Sequence, residues 1–135
     1  MMKVLDASIV LKWFVEEEGS EKALQILDEH VRGAAPIVIP DLLLYEIGNA
    51  LKFSGGFAEQ EVGEVFAALW SLDLFIVAPQ PEIILSAVSL SFTFGLSLYD
   101  AAYIALAKEM GVALVTADKK LFKKTADLKF VELMD

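Results

Sequence analysis

Four acidic residues occupy positions from which the predicted secondary structure would bring their side chains together. Asp6 closes the first predicted strand and Asp118 follows the end of the fourth, while Glu46 and Asp100 lie in the helices after the second strand and before the fourth. In open parallel sheets, ligands bind beyond the carboxyl ends of the strands. Carboxylate oxygens suit Mg²⁺ or Mn²⁺, and their charges repel one another unless a cation is present. The four acids therefore predict a divalent-metal site, whose natural reaction would be attack on a phosphodiester.

Each acid also has a purely structural explanation. Asp100 follows Ser97 by three residues, which fits a capping box in which the acid bonds back to the start of the helix. Asp118 and Asp6 could each cap the helix that follows, and Glu46 could be a solvated position on an amphipathic helix. The segment around Glu46 offers little polar face, however. Its apolar members are Leu42, Leu43, Leu44, Tyr45, Ile47, Ala50 and Leu51.

Length and composition restrict the class of protein. With 135 residues, of which 56% are hydrophobic and 23% charged, the chain is expected to fold as one domain over residues 1–135. The sequence has no cysteine, which excludes disulfide scaffolds, thiolate zinc sites and cysteine nucleophiles. We interpret its one histidine, His30, as a favourable charge at a helix C-terminus. The net charge of −9 excludes a non-specific coat for nucleic acid.

The hydrophobic segments do not predict membrane insertion. Asp6 and Lys12 interrupt the apolar start and Glu16 follows, so we expect no secretory signal and a cytoplasmic protein. The longest uncharged stretch, residues 83–99, is shorter than the roughly 20 residues that a bilayer requires. We interpret it as a buried helix followed by a turn.

Hydrophobic periodicity predicts alternating strands and helices without internal repeats, which indicates an α/β protein with a mostly parallel sheet. The predicted strands are residues 3–6, 36–40, 75–78, 112–116 and 130–133. The first predicted helix is short and ends near Trp13. The next five cover about residues 20–30, 41–53, 58–72, 81–92 and 97–111, and a short last helix follows Asp118. Ser20 and Asp41 are expected to cap their helices, and Gly55 with Gly56 to stop the third.

Four segments carry a resemblance to a known family. They are residues 4–8, 40–51, 97–103 and 115–118, which together span nearly the whole chain. In this order they resemble the PIN-domain ribonucleases of the VapC toxin type. The resemblance implies a single PIN-like domain with a three-layer α/β/α fold and a sheet of about five strands. It assigns Asp6, Glu46, Asp100 and Asp118 to a metal site and Ser8, Asn49 and Thr116 to polar positions beside it.

The same resemblance carries functional expectations. It implies an Mg²⁺- or Mn²⁺-dependent endoribonuclease that acts as the toxin of a toxin–antitoxin pair, with RNA as substrate, an antitoxin protein as partner and a homodimer as the assembly. The alternative is a catalytically silent PIN-like module that binds RNA or a protein. Receiver domains, haloacid-dehalogenase phosphatases and Rossmann domains fit less well, because their paired acids, second aspartate and glycine-rich loop are missing from this sequence.

Basic and aromatic residues give weaker functional signals. Four lysines directly follow Asp118 and could guide RNA phosphates, or could form a solvated helix face. They are Lys119, Lys120, Lys123 and Lys124, and Lys12 and Lys52 are lesser candidates of the same kind. We interpret Trp13, Trp70, Phe92 and Phe94 as core or interface rather than base-stacking residues. Because so much of a small chain is hydrophobic, we expect self-association through the helix that contains Phe66 and Trp70.

Overall fold

Five short strands form one sheet in which every adjacent pair is parallel. The computed structural model describes residues 1–54 and 56–135. The strands are β1 (Lys3–Leu5), β2 (Ile37–Pro40), β3 (Phe75–Val77), β4 (Ala113–Thr116) and β5 (Val131–Leu133). Their order in the sheet is β3-β2-β1-β4-β5, so β1 lies in the middle. Leu5 is in register with Val115, which places the carboxyl ends of β1 and β4 side by side.

Within residues 1–54 and 56–135, seven helices complete a three-layer α/β/α arrangement. They are α1 (Ala7–Val10), which continues as a 3-10 turn (Leu11–Trp13), α2 (Ser20–Val31), α3 (Leu42–Phe53), α4 (Glu59–Ser71), α5 (Pro81–Phe94), α6 (Leu98–Met110) and α7 (Lys119–Lys124). Across the described ranges, no single helix is long and apolar enough to cross a membrane. Only α5 and α6 taken together, with a bend of 119° between them, meet those criteria of length and composition.

Helix α6 is the helix most deeply embedded in the protein. It contacts β1, β2 and β4, and α5 packs along it. Its buried residues are Ala101, Tyr103, Ile104, Ala105, Leu106 and Ala107. The three alanines bring the helix axis close to the sheet, where β2 is buried along its whole length. The position of α6 is therefore fixed by close packing, and the same holds for the polar side chains that it carries.

The predicted elements are confirmed, but the predicted burial of the helix after residue 83 and two of the predicted caps are wrong. Helix α5 packs on α6 with one side and buries Ala87 and Leu90, while Leu85 and Phe92 are exposed. Ser20 is the first residue of α2 rather than its cap, because its hydroxyl accepts from Glu17 N and donates to Val15 O in the preceding loop. Asp41 has helical dihedral angles, and its side chain caps no amide within the described parts of the chain. Of the predicted stop after α3, Gly55 lies outside the described residues, and Gly56 has a positive φ of 67°.

His30 joins three elements as a neutral side chain. Its Nδ1 accepts from Ile37 N at 3.0 Å, and its Nε2 lies 2.7 Å from the carbonyl oxygen of Leu72. A ring nitrogen that accepts carries no proton, so Nε2 is the donor and the imidazole is uncharged. The predicted favourable charge at the end of α2 is therefore wrong. His30 instead ties α2 to the start of β2 and to the turn after α4.

This arrangement predicts that His30→Leu destabilises the fold. The variant leaves a buried amide at Ile37 and the carbonyl of Leu72 without their partner, which should lower the free energy of unfolding by about 1–3 kcal/mol. Urea unfolding followed by circular dichroism measures the change. Gln25→Leu, at an exposed position of the same helix, is the control and should stay within about 0.5 kcal/mol of the wild type. Equal stability of the two variants would contradict the assigned role of His30.

Candidate active site

Asp6 is a buried acid held by three hydrogen bonds. It follows β1, and the residue is only 6% exposed. Its Oδ1 accepts from the amide of Ser8 at 3.1 Å and from the Ser8 hydroxyl at 2.5 Å, and its Oδ2 accepts from the Thr116 hydroxyl at 2.5 Å. Asp6 is also the residue before α1, so the predicted helix cap and the predicted site residue are the same group.

The hydroxyls of Ser8 and Thr116 connect β1 to the chain after β4. Ser8 Oγ accepts from Ala117 N at 2.9 Å, and Thr116 Oγ1 accepts from Asp118 N at 3.0 Å. Because each hydroxyl accepts from a backbone amide, its own proton is free to be donated to Asp6. Ser8 Oγ and Thr116 Oγ1 lie 3.4 Å apart. We refer to Asp6, Ser8 and Thr116 as the hydroxyl clasp; it brings together three of the residues that the sequence assigned to the site.

Glu46 is held by a tyrosine that the sequence analysis did not single out. Glu46 is half-buried on α3, and its Oε1 accepts from the hydroxyl of Tyr103 on α6. Tyr103 lies three residues after Asp100 within a run of alanine, leucine and isoleucine. A hydroxyl on the buried face of an otherwise aliphatic helix needs a polar partner, and that pattern is the signal from which its role could have been found.

Asp100 and Asp118 stand at the starts of two helices. Asp118 caps α7, and its Oδ1 accepts from Lys120 N at 3.0 Å and Leu121 N at 3.1 Å. The amide of Asp100 donates to Ser97 Oγ at 3.0 Å, which is one half of the predicted capping box. The carboxylate of Asp100 is half-buried and senses the charge of Asp118. Both acids thus have a structural role and still face the same region.

The pKa values show that the four acids share one electrostatic environment. Burial raises the pKa of Asp6 to about 6, although the hydrogen bonds from Ser8 and Thr116 oppose the shift. Burial and the charge of Asp100 raise the pKa of Glu46, and burial and the charge of Asp118 raise the pKa of Asp100. Burial is likewise the main cause of the strongly raised pKa of Tyr103, followed by Glu46, Asp6 and Asp100. Glu46, Asp6 and Asp100 therefore all affect Tyr103, and Asp118 is linked to them through Asp100.

The predicted lysines differ in their surroundings. Lys124 reaches the site, since its Nζ lies 3.4 Å from the carbonyl of Gly95 and its charge lowers the pKa of Asp100. Three others are exposed on α7: Lys119, Lys120 and Lys123. Lys12 is instead engaged with the loop before α2, through Glu17 at 3.0 Å and the carbonyl of Glu18 at 2.7 Å. The Nζ of Lys52 lies 4.9 Å from the ring centroid of Phe53.

Asn49 and the aromatic residues lie outside this network. Asn49 is exposed one turn after Glu46, in a shallow groove that Phe66 and Trp70 also line. Its predicted contribution to the site stays a prediction. Trp13 packs against the core and donates from Nε1 to Ala23 O at 2.8 Å. Phe92 is 87% exposed, which is compatible with an interface and not with a core position.

The four acids fit a divalent cation by donor type. Burial, and after it a nearby charge of the same sign, raises the pKa values of Glu46 and Asp100, and a positive ion would relieve the repulsion. Carboxylate oxygens are the ligands that Mg²⁺ and Mn²⁺ prefer. Over residues 1–54 and 56–135, no three side chains of His, Cys, Asp or Glu type are arranged so that they could hold a metal ion. The four acids fit a cation by donor type, and their closure into one set of ligands stays a prediction.

A parallel sheet with acids gathered at the carboxyl edge of its central strands is the arrangement of a PIN domain, and the PIN domain family matches residues 3–128. The chain is 34% identical over 128 residues to ribonuclease VapC3 of Pyrobaculum aerophilum, covering 92% of this chain and 95% of that protein. The exonuclease VapC9 of the same organism is 33% identical over 116 residues, covering 79% and 80%. This chain therefore belongs to the PIN-domain family.

Solved structures show the same fold at lower identity. A toxin–antitoxin complex from Klebsiella pneumoniae superposes with a TM-score of 0.72 at 22% identity, covering 96% of this chain and 94% of that chain. VapC20 of Mycobacterium tuberculosis, a toxin that cleaves the sarcin–ricin loop, superposes with a TM-score of 0.74 at 14% identity, covering 98% and 99%. These similarities confirm the predicted fold class and the three-layer architecture.

The raised pKa of Asp6 predicts that this carboxyl contributes more to the stability of the metal-free protein as the pH falls. The pKa rises from 3.8 to about 6 on folding, so this carboxyl favours the folded state fully below pH 3.8 and loses that contribution as the pH rises through 6. The whole effect is up to about 3 kcal/mol, and about half of it lies between pH 7.5 and pH 5. Urea unfolding in EDTA at these two pH values measures it.

Asp6→Asn is the matched variant for this measurement. It retains a side chain of the same shape that can still accept from Ser8 N, but it removes the titrating group. We expect the variant to lose most of the stabilisation between pH 7.5 and pH 5, while Glu46 and Asp100, whose pKa values are also raised, retain a smaller part. An unchanged pH dependence in Asp6→Asn would contradict the assignment to Asp6.

Proposed function

We propose that this protein is an Mg²⁺- or Mn²⁺-dependent endoribonuclease and the toxin of a toxin–antitoxin pair, acting in the cytoplasm. The observation that carries the proposal is that Thr116 bonds both to Asp6 and to the amide of Asp118. The charge of Asp118 acts on Asp100, and that of Asp100 acts on Glu46, which supports a shared site. The relative named ribonuclease VapC3 supports the activity, and the solved structures of toxin–antitoxin complexes support the biological setting. The alternative, a catalytically silent module that binds RNA or a protein, is tested by the same experiment.

In the proposed mechanism, the four carboxylates would hold the cation and present an RNA phosphodiester to water. The bound cation supplies positive charge that stabilises the attacking and leaving oxygens. Within the hydroxyl clasp, Ser8 and Thr116 orient the carboxylate of Asp6 and favour its ionised form, against the burial that raises its pKa. Asp118 is held by the amides at the start of α7, and Lys124 brings a positive charge to the Asp100 side of the site.

The residues of this chain favour water as the nucleophile. The sequence has no cysteine, and its one histidine is bound to backbone groups of Ile37 and Leu72. Acid–base cleavage by a pair of histidines, or attack by a cysteine, therefore lacks the side chains that it requires. Attack by water leaves a 5′-phosphate and a 3′-hydroxyl, whereas attack by the RNA 2′-hydroxyl leaves a cyclic phosphate.

The proposal predicts that the protein cuts RNA in Mn²⁺ or Mg²⁺, leaves 5′-phosphate ends and is inactive in EDTA. A panel of structured RNAs, including a circular RNA, separates cleavage within the chain from exonuclease action of the kind named for VapC9, because a circle has no ends. Asp6→Asn and Asp118→Asn should each lower kcat/KM by at least about a hundredfold. Gel analysis and end-labelling of the products provide the measurements.

Two further variants make the result specific. Asp127→Asn changes an exposed acid after α7 and should leave the rate within twofold. Lys123→Ala should mainly weaken RNA binding. The slope of log affinity against log salt concentration should become smaller by about one. Cleavage that persists in EDTA, or products with cyclic phosphates, would contradict the mechanism. An absence of cleavage on every RNA, with RNA or protein binding retained, would favour the silent module.

We propose that the protein forms a homodimer and binds an antitoxin protein over the acidic site. Self-association is supported by an uncharged apolar face on α5, where Leu85, Val88 and Phe92 are exposed; Trp70 on α4 is also exposed. An apolar groove lies beside the acids, lined in part by Tyr45 and Tyr99. A basic antitoxin side chain would complement the negative charge of the site.

The homodimer predicts a mass of twice 14.8 kDa in light scattering at micromolar concentration. Phe92→Ser and Trp70→Ser distinguish the α5 face from the α4 face that the sequence favoured. Each removes one exposed aromatic side chain, and the variant at the true interface should shift the protein to the monomer. A wild-type protein that is monomeric at these concentrations would contradict the homodimer. The antitoxin proposal is tested separately, by a pull-down.

A further inference from the structure

Tyr103 lies among the four acids and is not one of them. Only 2% of the residue is exposed, and its hydroxyl donates to Oε1 of Glu46. The ring is fixed by α6, whose neighbouring buried residues pack against the sheet. The hydroxyl therefore has a set position between α6 and α3.

Glu46 depends on this one side chain more than the other acids depend on any single partner. Asp6 accepts from three donors and Asp118 from two backbone amides. In the part of the chain that the structure describes, Tyr103 is the hydrogen-bond partner of the Glu46 carboxylate. A glutamate has three rotatable side-chain bonds, so without this partner its carboxylate would sample several positions.

We propose that Tyr103 is a positioning residue, whose hydroxyl holds the carboxylate of Glu46 in place for cation binding. The inference rests on the function proposed above and extends it to a residue outside the acidic set. Tyr103 is too deeply buried to contact RNA, so its effect must act through Glu46. The hydrogen bond occupies one carboxylate oxygen and fixes the orientation of the other, which is how outer residues tune a metal site.

The test is the Mn²⁺ affinity of the RNA-free protein, measured by calorimetry for the wild type and for Tyr103→Phe. Phenylalanine fills the same space and removes only the hydroxyl. We expect about tenfold weaker Mn²⁺ binding, together with a lower kcat and an unchanged KM for RNA. Glu109→Gln is the control on the same helix, since Glu109 is exposed near the far end of α6 from Asp100, and it should leave the affinity unchanged. Thermal melting establishes that each variant is folded.

The Glu46→Gln background separates positioning from a general loss of structure. If Tyr103 acts through the Glu46 carboxylate, adding Tyr103→Phe to Glu46→Gln should change the Mn²⁺ affinity by less than twofold. An equal loss in both backgrounds, or Mn²⁺ binding by Tyr103→Phe within twofold of the wild type, would overturn the proposal.

The outcomes also separate this inference from the proposed function. A wild type that binds Mn²⁺ in the manner described but cuts no RNA would overturn the nuclease and support the positioning role. A wild type that cuts RNA in an EDTA-sensitive manner, with Tyr103→Phe equally active and equally able to bind Mn²⁺, would overturn the role of Tyr103 alone. A wild type that binds no Mn²⁺ would overturn both.

Discussion

The carboxylate of Asp6 is the group on which the carboxyl edge of the sheet depends. A charge buried to this degree is unfavourable unless donors surround it, and here Ser8 and Thr116 supply them. The same two hydroxyls accept the amides of Ala117 and Asp118. The chain after β4 therefore takes its path from the hydrogen bonds that Asp6 requires, and the position of Asp118 follows from the burial of Asp6.

Helix α6 supplies the second half of the site by a different physical means. Its alanines allow close contact with the sheet, and this packing carries Asp100 and Tyr103 towards Asp6, which follows β1, and Glu46 on α3. Burial, and after it the charge of a neighbouring acid, raises the pKa values of Glu46 and Asp100, which is unfavourable for the folded protein without a cation. A site that sacrifices some stability in this way is typical of functional positions, where the surrounding fold offsets the loss.

Much of this arrangement could be predicted from the sequence because it follows from local patterns. Strand ends, apolar runs and the spacing of the acids were enough for the fold class, whereas the places of Ser8 and Thr116 beside Asp6 came from the resemblance to the PIN-domain ribonucleases. Caps were less predictable, because Ser20 bonds to a loop and Asp41 lies in helical backbone. The neutral state of His30 depends on Ile37 and Leu72, which only tertiary structure brings to it. Tyr103 was missed for the same reason, since its partner lies 57 residues away.

The strand order has a consequence for when the site comes into existence. The central strand β1 is made first, but β4 pairs directly with it and Thr116 bonds to Asp6 across 110 residues. A nascent polypeptide released from the ribosome before β4 carries Asp6 and Glu46 without Thr116 and Asp118. The buried carboxylate then lacks its donor from β4 and one edge of β1 is unpaired. Translation must therefore pass Thr116 and Asp118 before the acids can assemble, and products truncated before these residues contain no intact site.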